Sequence, residues 1–203
     1  MLSCRNPEET ILYLSDESLE WLTEDDYNDQ FTMVDNNGIS QVFTMKSNRQ
    51  YFIDSWSESF GVKRDIVSRE YYSQKYLSDF GNEFCMHFQK GYEGEGDDLY
   101  FECADIGFGY DPQFNTLNRV NTYFGNLGQS FDSNGNYTYG LQSKIMILDH
   151  YSIGEKQYDG VMHFQLKDLK EKWDDKTVVE IYVAQGLGLI KYSLNGGVSY
   201  ERE

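Results

Sequence analysis

The sequence predicts a mainly β protein: a single domain built as one antiparallel sheet, with little helix. Three observations predict it. Tyr and Phe are abundant, at 17 and 13 of 203 residues, while Pro numbers only 2; aromatic side chains favour a pleated, half-buried surface, and Pro interrupts one. Apolar residues recur at alternate positions in several short runs, the period of a strand with one buried face. Gly- and Asn-rich turn signals separate those runs. With 39% hydrophobic and 25% charged residues the composition is globular, and the length suits one domain.

The elements follow in order. Residues 1–29 are polar and acidic and are expected as a tether with one short helical turn, Ser15 to Leu22. Ser15 can cap that turn, with Glu17 and Glu20 near its positive end. Residues 30–203 are expected as the β domain. Gln30–Val34 and Ile39–Met45 flank Asp35-Asn36-Asn37-Gly38, a hairpin signal. A third strand is expected from Gln50 to Trp56, and the tyrosines of Val67–Leu77 favour strand over helix there. Residues 107–142 are rich in Gly, with short strands expected around Asn118–Phe124 and Tyr137–Leu141. The C-terminal third reads as strands at Lys144–Leu148, Tyr158–Leu166, Val178–Ala184, Leu189–Leu194 and Val198–Arg202. Its turns fall at Gly154-Glu155-Lys156, Gly186-Leu187-Gly188 and Asn195-Gly196-Gly197.

The formal net charge of −17 excludes nucleic acid as a partner, because phosphate backbones are held mainly by Lys and Arg. It also provides no polybasic patch for anionic lipid. No apolar run reaches the length of about 18 residues that a membrane-spanning helix needs, so contact with a membrane is expected only through a lipid anchor.

Three cysteines remain to be sorted. Cys85 and Cys103 lie in the runs Asn82–Gln89 and Leu99–Ala104, separated by the turn-rich Gly91-Tyr92-Glu93-Gly94-Glu95-Gly96-Asp97-Asp98. A hairpin folded about Gly94 sets Lys90 opposite Asp98 and Cys85 opposite Cys103, a cross-strand spacing near disulfide reach. The two are therefore candidates for a disulfide, and a slip of one residue would place them on opposite faces. Cys4 follows Leu2-Ser3, and this start resembles the end of a bacterial lipobox, in which a small residue precedes the cysteine that is acylated. The resemblance makes Cys4 the candidate lipidation site. Arg5-Asn6-Pro7-Glu8-Glu9 after it is expected to be a solvated spacer, although its acidic pair also resembles a surface-export signal of some Bacteroidetes lipoproteins.

The C-terminal third resembles uncharacterised cell-envelope lipoproteins of Bacteroidetes type. In those, a strand of Gly-Lys-x-Tyr/Phe-x-x-Val type precedes a Tyr-Tyr-Ala-x-Gly-Val-Gly-Leu-Val-Lys strand. The matching pieces here are Gly154-Glu155-Lys156-Gln157-Tyr158-Asp159-Gly160-Val161 and Ile181-Tyr182-Val183-Ala184-Gln185-Gly186-Leu187-Gly188-Leu189-Ile190-Lys191. The first carries one extra residue between Gly and Lys, and Leu187 replaces Val in the second. The resemblance implies a long curved antiparallel sheet, a half-barrel or an open barrel or sandwich, in the bacterial envelope, anchored to a membrane and facing the periplasm or the cell surface.

No reactive constellation stands out. His87, His150 and His163 have no metal-ligand spacing, and no Gly-x-Ser-x-Gly elbow occurs. Gly186 and Gly188 suit a bend, because a nucleotide fingerprint needs a third glycine and a following helix. Asp132-Ser133-Asn134-Gly135-Asn136-Tyr137 lacks the bidentate Glu of a calcium loop. No catalytic residue, metal site or cofactor is assigned. The expected function is non-catalytic binding of an envelope protein or a small apolar ligand on the curved sheet. The alternatives are a carbohydrate-binding module, with Trp56 or Trp173 as a stacking platform, and a hydrolase with an unrecognised pair of carboxylates.

Overall fold

A computed structural model describes residues 8–24, 29–59, 62–104, 106–113, 116–122, 125–126, 143–166 and 174–203. The protein is mainly β, a single open antiparallel sheet curled into a half-barrel. In chain order the described elements are β1 (Glu8–Leu12), α1 (Asp16–Leu19), β2 (Gln30–Asp35), β3 (Ser40–Ser59), β4 (Val62–Ser78), β5 (Glu83–Gln89), β6 (Asp98–Cys103), β7 (Ile106–Asp111), β8 (Thr116–Thr122) and β9 (Gly125–Asn126). They continue as β10 (Ser143–Ile153), β11 (Lys156–Leu166), β12 (Val178–Ala184), β13 (Gly188–Leu194) and β14 (Ser199–Arg202).

The sheet is two meanders joined in the middle. β10 to β14 run in sequence order, β14 then pairs with β2 (Glu201 opposite Val34), and β2 to β9 continue the order. The turns sit where their chemistry requires. At Asp35–Gly38, Asp35 Oδ1 accepts from the N–H groups of Asn37 (2.8 Å) and Ile39 (2.7 Å), and Gly38 takes φ +81°. Gly186 and Gly188 adopt φ +70° and +76° in the β12–β13 turn, the bend anticipated from the sequence.

Alternation sends Phe31 and Met33, Phe84, Met86 and Phe88, Leu99 and Phe101, Ile106 and Phe108, and Ile181 and Val183 to the inner face, where all are buried. The curl brings β7 onto β11, so that Phe108 stacks on Phe164 with centroids 4.7 Å apart. Residues 14–23 complete this core from the N-terminal side. Ser15 caps α1 as anticipated, and Leu14 and Trp21 are buried, Trp21 with its ring edge-on to Phe101. The helical segment is tied down by buried polar bonds: Gln74 Oε1 accepts from Thr23 N–H, Gln74 Nε2 donates to the Thr23 carbonyl, and Thr23 Oγ1 meets Tyr76 Oη at 2.6 Å. Instead of forming a spacer, residues 8–12 join the sheet, running parallel to β4 with Glu8 opposite Asp65 and Leu12 opposite Arg69.

The expected register of the β5–β6 hairpin is corrected. Gln89, not Lys90, faces Asp98, so Cys85 lies opposite Glu102 and Cys103 opposite Phe84. Side chains alternate faces along a strand, so the one-residue difference puts the two cysteines on opposite sides of the sheet. Both are buried, and neither is in a disulfide. The cause lies at the turn. Lys90 N–H donates to the Glu70 carbonyl of β4, and its Nζ pairs with Asp97 at 2.8 Å, which holds Lys90 outside the β5–β6 ladder.

A second, smaller core lies on the outer face. Tyr158, Val161, Tyr182, Ala184 and Ile190 are buried there, with Leu148, Tyr151 and Ile153 packed against them. Ile181 and Val183 belong to the main core and Tyr182 and Ala184 to this one, so β12 is covered on both faces.

Candidate interaction surface

β3 and β4 are far longer than their neighbours. They pair from Phe43–Ser78 to Ser59–Val62, but β2 accompanies β3 only as far as Thr44, and β5 accompanies β4 only as far as Tyr71. Beyond those points the hairpin continues as an arm, for roughly 50 Å along β3 and roughly 30 Å along β4, at a strand's rise of about 3.3 Å per residue. β1 occupies the flank of β4 that β5 vacates.

The inner side of the arm carries Phe52, whose ring meets Tyr13 edge-on at 5.8 Å, with Ile11 on the same face. Glu70 anchors this side: its carboxylate accepts from Leu14 N–H (2.8 Å) and from Gln50 Nε2 (2.6 Å). The outer side carries a row of rings running from the arm into the body. Tyr51 and Tyr71 lie 4.6 Å apart, Tyr71 and His87 6.2 Å, and His87 and Tyr100 6.2 Å. Tyr100 then lies over Gly107, where an added Cβ would collide with its hydroxyl. Arg69 stacks over Tyr92 at 4.0 Å, and Tyr92 Oη meets Ser55 Oγ at 3.1 Å. A shallow open groove at the root of the arm is lined by Ser47, Asn48, Arg49, Gln50, Tyr51 and Ser73.

Five large apolar side chains on or beside the arm are exposed: Tyr13 (58%), Ile11 (45%), Tyr92 (44%), Phe52 (43%) and Tyr51 (42%). The concave side of the half-barrel is, by contrast, filled by its own side chains, with Met33, Phe43, Met45, Tyr76, Phe84 and Met86 fully buried.

A polar cluster lies on the outer face of β11–β13. Glu180 accepts from Tyr182 Oη (3.0 Å) and Ser193 Oγ (3.1 Å) and lies 2.7 Å from His163 Nε2, while His163 and Tyr182 stack at 4.1 Å. The His163 contact holds the Glu180 carboxyl below its ordinary range, against the opposing push of burial. The carboxylate stands between the histidine and the serine. A nucleophilic triad needs the histidine in that place, so this arrangement buries a satisfied carboxylate and does not activate Ser193.

Of the residues singled out from sequence, Cys4 and Trp173 lie outside the described residues. Trp56 is on β3 opposite Ile66, and its side chain lies outside them too. His150 pairs with Asp159 at 2.7 Å in a solvent-exposed contact. No group of three His, Cys, Asp or Glu side chains suited to a metal ion occurs among the described residues. The sequence shows the arm only in part, as strands at Gln50–Trp56 and Val67–Leu77; its full length is hidden because the segment Lys46-Ser47-Asn48-Arg49-Gln50 is polar. Comparison of the chain with protein-family models, with curated proteins and with solved structures finds no match.

Proposed function

We propose that this chain is a non-catalytic protein of a bacterial cell envelope, anchored through Cys4, that binds a partner protein along the β1–β4–β3 arm. The distribution of exposed apolar side chains carries the reading: among the described residues, five of the nine large exposed ones, Ile11, Tyr13, Tyr51, Phe52 and Tyr92, lie on or beside the projecting arm. Such clusters of rings on a projecting element suit protein recognition. The filled concave side favours a protein partner over a small apolar ligand held inside the sheet.

The envelope reading is supported by the Leu2-Ser3-Cys4 start and the C-terminal resemblance, and the direction of β1 agrees with it. β1 starts opposite Asp65, toward the far end of the arm, and runs back to the body. Cys4 precedes Glu8 by four residues, a reach of at most about 14 Å. An acyl chain on Cys4 would hold the arm tip toward the membrane and the half-barrel away from it.

Co-purification from envelope fractions tests the binding surface. The double variant Tyr13→Ala/Phe52→Ala should lose the partners that the parent retains while folding normally; an unchanged partner set would sink the arm as the surface. Intact mass after expression in a lipoprotein-processing host tests the anchor. A diacylated Cys4 is expected, and an unmodified Cys4 thiol would remove the anchor.

A further inference from the structure

The β3–β4 hairpin differs in charge from the rest of the molecule. From Ser40 to Ser78 it carries six Lys and Arg against four Asp and Glu, whereas the remainder of the chain carries eleven against thirty. The described charges of the arm also divide by side. Asp54 accepts from Ser68 Oγ at 2.7 Å, and Glu70 from Leu14 N–H and Gln50 Nε2, all on the inner side. Strand alternation puts Arg49 and Arg69 on the outer side with Tyr51 and Tyr71, Arg49 opposite Ser73 and Arg69 opposite Ile53. Arg69 is engaged, its guanidinium stacked over Tyr92. Arg49 lines the groove at the root of the arm and is exposed, and among the described residues no carboxylate forms an ion pair with it. Two residues further along, Tyr51 is 42% exposed beside Tyr71.

We propose that the outer side of the arm root docks an acidic surface of the partner protein, with an Asp or Glu of the partner entering the groove onto Arg49 and Tyr51 packing beside it. This docking rests on the arm as the binding surface, and it adds the side used and the charge of the partner. A guanidinium meets a carboxylate through two parallel hydrogen bonds, and the hydroxyls of Ser47 and Ser73 line the same groove as further donors. Arg and Tyr are the residue types that most often dominate binding energy at protein interfaces. Charge selects the occupant. A neutral or basic face would bury the Arg49 guanidinium without a counter-charge, which is costly. The acidic remainder of the chain repels an acidic partner, and the hairpin is where such a partner meets a positive balance, so its approach is steered there.

Photo-cross-linking of the full chain in envelope fractions tests the proposal, with benzoylphenylalanine in place of Ser47 in the groove or of Phe52 on the inner side. The probe at Ser47 should capture a partner segment with an excess of Asp and Glu. Arg49→Glu should lower that yield by about tenfold or more, the scale of losing a dominant contact, and Arg49→Lys, which keeps the charge, by far less. Salt at about 0.5 M should lower the parent's yield as well, because screening weakens an exposed charge contact. Arg49 is exposed, so Arg49→Glu should leave urea unfolding unchanged. A captured segment of neutral or basic balance, a saccharide or a second copy captured in its place, or a yield indifferent to Arg49→Glu would each overturn the proposal. Capture from Phe52 alone would overturn the outer-side docking and leave the arm as the binding surface; capture from neither would remove both.

Discussion

Phe108 of β7 and Phe164 of β11 stack with 4.7 Å between centroids and 5° between planes, although their strands stand in opposite limbs of the sheet. The limbs are joined by the β14–β2 ladder, but no ladder pairs β7 with β11 among the described residues, so side-chain packing holds these two strands together across the curl. Both rings are fully buried. Phe108→Ala and Phe164→Ala should each cost about 3–5 kcal/mol. Their double variant should fall short of the sum by about 1 kcal/mol, the coupling of a ring pair. Urea unfolding of the four proteins measures this. Strict additivity would mean that the limbs are held by other contacts.

The thiols make a second prediction. Burial, with Glu102 adding to it, pushes the Cys85 thiol up to about 11, and Cys103 lies on the inner face, 1% exposed. Neither should react with iodoacetamide at neutral pH until the protein unfolds, because the thiolate is the nucleophile. Both should then react without prior reduction. A chain alkylated at these positions only after reductant would mean a disulfide.

Asp97 predicts an acid-sensitive step. Burial pushes its carboxyl up, but Lys90 Nζ, Ser15 N–H and Ser18 Oγ–H all donate to it and together hold it below its ordinary value. A carboxyl lowered on folding contributes stability above its unfolded value of about 3.9 and loses it as pH falls through the folded value. Stability measured by urea unfolding should therefore decline with acid below about pH 4. Asp97→Asn should flatten that part of the profile and cost about 1–3 kcal/mol at neutral pH, the range for a buried group left short of its partner. A profile unchanged in Asp97→Asn would assign the acid step to other carboxylates.

Legibility in the sequence follows how local each decision is. The turns at Asp35–Gly38, Gly154 and Gly186–Gly188 are written in residues that must adopt positive φ or bond their own backbone, and the strands they join are found in place. The β5–β6 register was not legible. Five Gly and Asp residues within Gly91–Asp98 leave the apex open, and the choice was made by the contacts of Lys90 with Glu70 and Asp97, from a different strand and a different part of the turn. The Cys85–Cys103 pairing depended on that choice. β1 was hidden because Glu8–Leu12 is a strand only against β4. The arm was half visible: Gln50–Trp56 reads as a strand, but Ser47-Asn48-Arg49 before it pairs with β4 through the backbone and is polar throughout.

Glu70 joins the N-terminal segment to the arm and gives the last prediction. It is buried on β4, where one carboxylate oxygen accepts from Leu14 N–H and the other from Gln50 Nε2. Glu70→Ala leaves a buried backbone donor without its acceptor, at a cost of about 1–3 kcal/mol. Glu70→Gln keeps an oxygen for Leu14 and should be milder, since the Gln50 amide can turn to meet it. The loss should be local, because among the described residues β1 makes its ladder only with β4. Hydrogen exchange should quicken at residues 8–14 in Glu70→Ala while β12 and β13 keep their protection. Uniform loss of protection across the sheet would instead make residues 8–14 part of the cooperative core. If Cys4 carries the lipid, the local outcome also means that Glu70→Ala frees the half-barrel from its anchor strand, lengthening the reach of the body from the membrane without unfolding it.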